Sequence, residues 1–191
     1  MSLNIVIIGV GGQGTLLASR VLGSMGAKLY KDVKVSEVHG MSQRGGSVVT
    51  YVRMGDEVSS PIIENGQADI ILAFERLEAM RALPYLKKGG RLLLNTQQIL
   101  PMPVVSGAME YPADILDILK QKNIDFTAVD ALSLAVKAGT PKCVNTVMLG
   151  ILARSTDLDK EQWLDIIKQC VPPKTVEINL TAFNLGYDSL S

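Results

Sequence analysis

At 191 residues, 47% of them hydrophobic, the chain is long enough for one well-buried core, and its positive mean hydropathy argues against a disordered chain. Nineteen basic and nineteen acidic residues leave no net charge, which removes the electrostatic case for nucleic acid or an anionic membrane as partner. The balance also forgoes one safeguard of solubility, as fits a chain held in a complex.

No apolar run reaches the ~18 residues that a membrane span needs. The chain opens on an expected strand without a basic stretch before it, so no signal peptide is expected. Cys143 and Cys170 are the two cysteines, too few for a disulfide framework. An iron–sulfur cluster takes about four cysteine ligands, so the chain alone does not hold one in the usual way. A structural zinc site fails on the same count, with His39 as the single histidine. The expectation is a cytoplasmic, reduced chain with no metal of its own.

The first element is written in Asn4-Ile-Val-Ile-Ile-Gly-Val-Gly-Gly-Gln-Gly-Thr15. Ile5 to Ile8 read as a strand that runs into a glycine turn, and Ala18, Val21, Leu22 and Met25 give the stripe of a following helix. Gly9, Gly11 and Gly14 have the spacing G-x-G-x-x-G in the strand–turn–helix context this motif requires. Gly9 is then expected to permit the tight turn, Gly11 to let a ligand approach the backbone, and Gly14 to pack the helix on the strand. The helix N-terminus favours a phosphate or carboxylate there. A bare packing turn has the same spacing.

Residues 31–38 read as a second strand, followed by the loop His39-Gly-Met-Ser-Gln-Arg-Gly-Gly46 and a β-rich run over 47–53. Gly55-Asp56 is expected to turn residues 57–59 back as a hairpin. Residues 68–74 form a continuous apolar strand of the kind buried on both faces. A helix is expected from Glu75, restarting at Pro84 and closed by Gly89-Gly90, before a short strand over 91–95. Prolines leave 101–109 as edge or loop, Pro112 starts a helix to 122, and 125–129 is the next strand.

The last third is helical. Thr140-Pro141 starts one helix with Val144, Val147, Met148, Ile151 and Leu152 as its stripe. Asp159 with Gln162 resembles a capping box, and Leu158 with Trp163 a hydrophobic staple, for the next. Pro172-Pro173 ends that helix, and 175–185 is a final amphipathic segment. The fold class is thus α/β, Rossmann-like, a mainly parallel sheet with helices on both faces. It reads as one domain over 1–191, with a sheet part at 1–139 and a helical extension at 140–191.

An ordinary NAD site closes the second strand with an acid for the ribose, about twenty residues beyond the glycines. Asp32 is expected to precede that strand and Glu37 runs into the loop, so neither fits well. The loop sets Ser42, Gln43 and Arg44 beside Gly45 and Gly46, a set that binds a phosphate or carboxylate or else a plain solvated turn. With the second strand next to the first, this loop reaches the glycine turn. Glu75 stands at the same edge, to pair with Arg44 or to place negative charge at a helix start. His39 reads as a loop hydrogen-bonder, the cysteines as small core residues, and Asn145 as a partner for nearby backbone. No catalytic residue is evident.

Gly9-Val-Gly-Gly-Gln-Gly14 followed by Ser36-Glu-Val-His-Gly-Met-Ser-Gln-Arg-Gly-Gly-Ser-Val48 resembles the gamma-type domain of 2-oxoacid:ferredoxin oxidoreductases, the pyruvate/ketoisovalerate oxidoreductase gamma-type domain. The second block is particularly similar to the indolepyruvate branch of that family. Ala68-Asp69 with Glu75, and Asn145 with Leu149-Gly150, extend the resemblance over nearly the whole chain. It implies a large partner subunit carrying thiamine diphosphate and the iron–sulfur clusters. Together the subunits would decarboxylate an aryl pyruvate, reduce ferredoxin and release an acyl-CoA. It further implies that Gly9, Gly11, Gly12, Gln13 and Gly14, with Ser42, Gln43, Arg44, Gly45 and Gly46, shape a shared site for thiamine diphosphate, substrate or coenzyme A. The alternatives are a stand-alone NAD(P)-binding oxidoreductase and a non-catalytic nucleotide-binding module.

Overall fold

The computed structural model describes residues 2–39, 46–156 and 158–190. In chain order the elements are β1 (Leu3–Val10), α1 (Thr15–Leu29), β2 (Asp32–His39), β3 (Ser47–Gly55), β4 (Ala68–Ala73) and α2 (Arg76–Ala82). A 3-10 turn, Leu83–Tyr85, leads into β5 (Leu86–Asn95), α3 (Met102–Val105), α4 (Ile115–Gln121), β6 (Phe126–Val129) and α5 (Ala131–Ala138). After Pro141–Cys143, α6 (Val144–Arg154), α7 (Lys160–Cys170) and α8 (Val176–Asp188) complete the described fold.

The sheet runs β2-β3-β1-β4-β5-β6. β1, β4, β5 and β6 pair in parallel, whereas β3 is antiparallel to both β1 and β2. The condition that β2 lies next to β1, under which the loop reaches the glycine turn, is not met, because β3 lies between them. Only residues 40–46 join β2 to β3. That link is too short for the crossover a parallel pair needs, so β3 turns back antiparallel. This supplies the antiparallel piece expected from a hairpin at 57–59, a stretch that forms no strand.

Side chains of the central strands alternate between two apolar layers. Ile5, Ile7, Ile70, Leu72 and Leu93 face one layer, with α1, α5, α6, α7 and α8. Val6, Ile8, Ile71, Leu92 and Leu94 face the other, with α2 and α4. Double burial is the reason these strands read as unbroken apolar runs. The C-terminal helices belong to the first layer: Trp163 and Phe183 are fully buried in the same cluster as Ile7 and Leu72. Asp159 caps α7 by accepting from the Glu161 N–H at 3.2 Å.

Three boundaries differ from expectation. β5 begins at Leu86, so Gly89 and Gly90 lie inside the strand, where its pairing with β4 is irregular. Residues 102–105 form one helical turn. Helix α5 appears where no element was expected; Asp130 caps it through the Ser133 N–H at 3.0 Å. None of the described helices is long and apolar enough to cross a membrane.

Candidate functional site at the carboxyl edge of the sheet

β1 passes to α1 on one face of the sheet, and its neighbour β4 passes to α2 on the other. The chain therefore diverges at the carboxyl ends of β1 and β4, and open α/β sheets bind ligands in such a crevice. A cavity of about 310 Å³ sits there, with Gly11, Gly12 and Gln13 on one side, Gln97 and Ile99 beyond β5, and Lys142 before α6.

Gln13 N–H closes the turn on Val10 O at 3.1 Å. Its side chain does more: Oε1 accepts from Val10 N at 2.8 Å, while Nε2 donates to Phe74 O at 2.9 Å and to Gln97 Oε1 at 3.2 Å. One amide thus ties the ends of β1 and β4 to the segment after β5. Gly11 N–H donates to Gly46 O at 3.0 Å, which brings the start of β3 to the turn. Of the expected site residues, Gly9, Gly11, Gly12, Gln13, Gly14 and Gly46 share this one edge. Ser42, Gln43, Arg44 and Gly45 lie outside the described residues, as does the expected pairing of Arg44 with Glu75. Among the described residues, the Gly12, Thr15 and Leu16 N–H groups have no acceptor. They supply the donor end of α1.

Gly14 has a role other than the expected packing of helix on strand. Its φ is +81°, and a Cβ there would lie 2.4 Å from Asn145 Nδ2. That nitrogen donates to Gly14 O at 3.2 Å, and Asn145 Oδ1 accepts from Thr146 N at 2.9 Å. Thr146 Oγ1 in turn donates to Asn179 Oδ1 at 2.6 Å. A buried polar chain therefore links α8 and α6 to the glycine turn.

Glu75 is the side-chain cap of α2, as one of its two expected readings had it, and accepts from Glu78 N at 2.9 Å. It also accepts from Ile99 N at 3.1 Å and from the Tyr111 hydroxyl at 2.5 Å. Both ends of the excursion over 99–111 are fastened to one buried carboxylate. Burial and then the Glu75 hydrogen bond push the Tyr111 hydroxyl well above the ordinary tyrosine range. Burial likewise pushes the Cys143 thiol up, which suits a core residue and not a nucleophile.

The candidates for a ribose carboxylate are occupied elsewhere. Asp32 opens β2 instead of preceding it, opposite Gly55 at the far end of the sheet, where it accepts from Val58 N at 2.9 Å and from Lys34. Glu37 accepts from Thr50 Oγ1 at 2.9 Å. Gln97, Asn95 and Lys142 were missed. Their signal was the polar run Asn95-Thr-Gln-Gln98 at the end of an apolar strand, and a lysine beside the Pro141 helix start.

The model of the family described as pyruvate ferredoxin/flavodoxin oxidoreductase matches residues 4–189. The chain is 45% identical over 188 residues to an indolepyruvate oxidoreductase subunit of Pyrococcus horikoshii, covering 96% of this chain and 93% of the relative. It resembles the crystal structure of a keto/oxoacid ferredoxin oxidoreductase gamma subunit from Geobacter sulfurreducens with a TM-score of 0.71, at 25% identity, over 97% and 96% of the two chains. A pyruvate oxidoreductase subunit of Thermotoga maritima shares the fold with a TM-score of 0.74, at 22% identity, over 98% and 96%.

Proposed function

The chain belongs to the pyruvate ferredoxin/flavodoxin oxidoreductase family, and from that premise we propose that it serves the indolepyruvate-type branch. It is a small subunit of a 2-oxoacid:ferredoxin oxidoreductase and works beside a catalytic subunit. The reaction we assign to the assembled enzyme is oxidative decarboxylation of indolepyruvate or another aryl pyruvate. The acyl group passes to coenzyme A, carbon dioxide leaves, and the electrons released reduce ferredoxin in the cytoplasm. The observation that carries this reading is the full-length similarity to an indolepyruvate oxidoreductase subunit.

The residue set supports a division of labour between the two subunits. Two cysteines, one buried and one half-buried, do not fit an iron–sulfur cluster, so cluster chemistry is assigned to the partner. The described residues hold no group of three metal-ligating side chains either. Thiamine diphosphate on the partner supplies the carbanion chemistry. This chain, acting as one unit over 1–191, supplies a shaped wall with hydrogen-bond donors at the Gly9–Gly14 turn, held by Gln13; Ser42, Gln43, Arg44, Gly45 and Gly46 are assigned to the same shared site on the family resemblance. Donors fixed before the ligand arrives need no reorganisation when charge develops.

The test is assembly. Purified anaerobically with its catalytic subunit, the chain is expected to elute in one stoichiometric complex. The isolated chain, titrated calorimetrically with NAD and NADP, is expected to bind neither more tightly than ~1 mM, about −4 kcal/mol. Micromolar binding of either would return the stand-alone dehydrogenase. Arg44→Ala is expected to leave assembly intact and to lower kcat/KM of the complex by about 2 kcal/mol, the worth of a charge-assisted hydrogen bond.

A further inference from the structure

Among the described residues ten large hydrophobic side chains are exposed, and four of them fall within ten positions. They are Leu100, Met102, Val105 and Met109, at 48%, 69%, 61% and 64% exposure, on the excursion that follows β5. Residues 99–109 carry no charged side chain, although 20% of the chain is charged. The uncharged run over 144–153 in α6 is interior, every residue of it buried. The run over 99–109 is turned outward instead, at a cost of roughly 25 cal/mol for each Å² of apolar surface left in water. An exposed apolar patch of this kind marks a protein interface, whose centre is depleted of charge.

The surface is held ready before anything covers it. Glu75, itself 1% exposed, fastens both ends by accepting from Ile99 N and the Tyr111 hydroxyl. Between those points the excursion bonds to itself. Val104 N and Val105 N donate to Pro101 O at 2.9 and 3.0 Å, Ser106 N to Met102 O at 2.9 Å, and Met109 N to Pro103 O at 3.0 Å. Pro101 and Pro103 fix two further backbone angles. With these backbone donors used internally, the segment offers side chains to a partner and not an edge for an added strand. Ordering completed on folding is not charged again on binding.

Position selects the occupant. Ile99, where the excursion begins, lines the carboxyl-edge cavity together with Gly11 and Gln13. The apolar surface is thus continuous with the edge that the function proposed above turns toward the catalytic subunit. A second copy seated here would crowd that edge. We propose that Leu100, Met102, Val105 and Met109 form the seat of the catalytic subunit, received by an apolar, uncharged groove on that subunit. The identity of the occupant rests on the function proposed above; the docking face rests on exposure and the lack of charge.

Met102→Lys and Val105→Lys each set a charge on this face from an exposed position, and Val136→Lys places the same charge on the exposed side of α5 as the control. The full chain is titrated anaerobically against the purified catalytic subunit. Both face variants are expected to raise Kd about tenfold or more, and the control to leave it unchanged. Wild-type Kd is expected to change little between about 0.1 and 1 M sodium chloride, where the screening length falls from ~10 to ~3 Å. Wild-type amide hydrogen exchange supplies a readout without any substitution: protection over 100–109 is expected to rise in the complex. Face variants that bind like wild type, a control that weakens binding equally, steep salt dependence, or exchange unchanged over 100–109 would overturn the proposal. So would face variants that abolish self-association of the free chain and leave the catalytic subunit bound, since the occupant is then a second copy. Dye reduction by the wild-type complex is read separately. A complex that shows the expected binding but oxidises no 2-oxoacid refutes the proposed reaction and leaves the docking face standing.

Discussion

At the scale of single residues, two groups give direct tests of the electrostatics. Tyr51 is buried against Tyr85, their hydroxyls 3.0 Å apart and their rings edge-on at 5.8 Å. Burial, and then the hydrogen bond, hold the Tyr51 hydroxyl at about 12 against an ordinary 10.0. A raised folded-state value means the neutral form is the one favoured by folding. Its contribution is complete below pH 10 and is lost as pH rises toward 12. Chemical denaturation across that window is expected to show falling stability, and Tyr51→Phe to flatten the fall. Asn145 gives the second test. Removing its amide by Asn145→Ala leaves the Gly14 carbonyl short of one partner and breaks the polar chain to Asn179, an expected loss of about 1–2 kcal/mol. Gly14→Ala is expected to cost more, since it adds a clash with Asn145 to a left-handed backbone. Denaturant midpoints of the two variants provide the check.

Among the elements, α6 and α8 touch at their backbones. A Cβ on Gly150 would fall 2.1 Å from Phe183 O, and one on Gly186 would fall 2.1 Å from Val147 O. Neither neighbour is a side chain that can swing away, so Gly150→Ala is expected to force the helices apart and cost about 1–3 kcal/mol. A lowered melting temperature with altered Trp163 fluorescence would report it, because Trp163 stacks on Phe183 at 6.3 Å. The excursion over 99–111 depends on Glu75 in a different way. Glu75→Ala frees both of its fastenings, Ile99 N and Tyr111, and is expected to raise amide hydrogen exchange there ahead of global unfolding.

The elements also show what sequence periodicity reveals. Strands buried on both faces announce themselves by apolar content, as β1 and β4 do, while helices α1 and α6 were legible from one apolar stripe each and α7 from its capping residues. The place of β3 was not, because strand order depends on link length and not on the composition of any strand. The glycine turn was legible as a motif, but the partner of Gly14 was not. Asn145 reaches it across 131 positions of chain, and no local pattern encodes that contact. Gln97 escaped for the same reason: its aim is set by Gln13, far back in the sequence, together with Asn95.

For the whole molecule, one sheet carries two kinds of helical layer with different duties. The α2 and α4 side closes the second apolar layer of the sheet. On the other side α1, α6 and α8 join through Asn145 and Thr146 to hold the glycine turn. The product is an edge with aimed donors and, among the described residues, no group of three metal-ligating side chains, in keeping with the proposed contribution to a shared site. The central claim is that this chain does nothing alone and completes an oxidoreductase when joined to its catalytic subunit. The most direct measurement is anaerobic reduction of a viologen dye by indolepyruvate with coenzyme A, using the isolated chain, the isolated catalytic subunit and the reconstituted pair. The account predicts dye reduction by the pair that depends on coenzyme A, and none by this chain. Turnover by this chain alone, or a catalytic subunit whose rate the chain leaves unchanged, would contradict it.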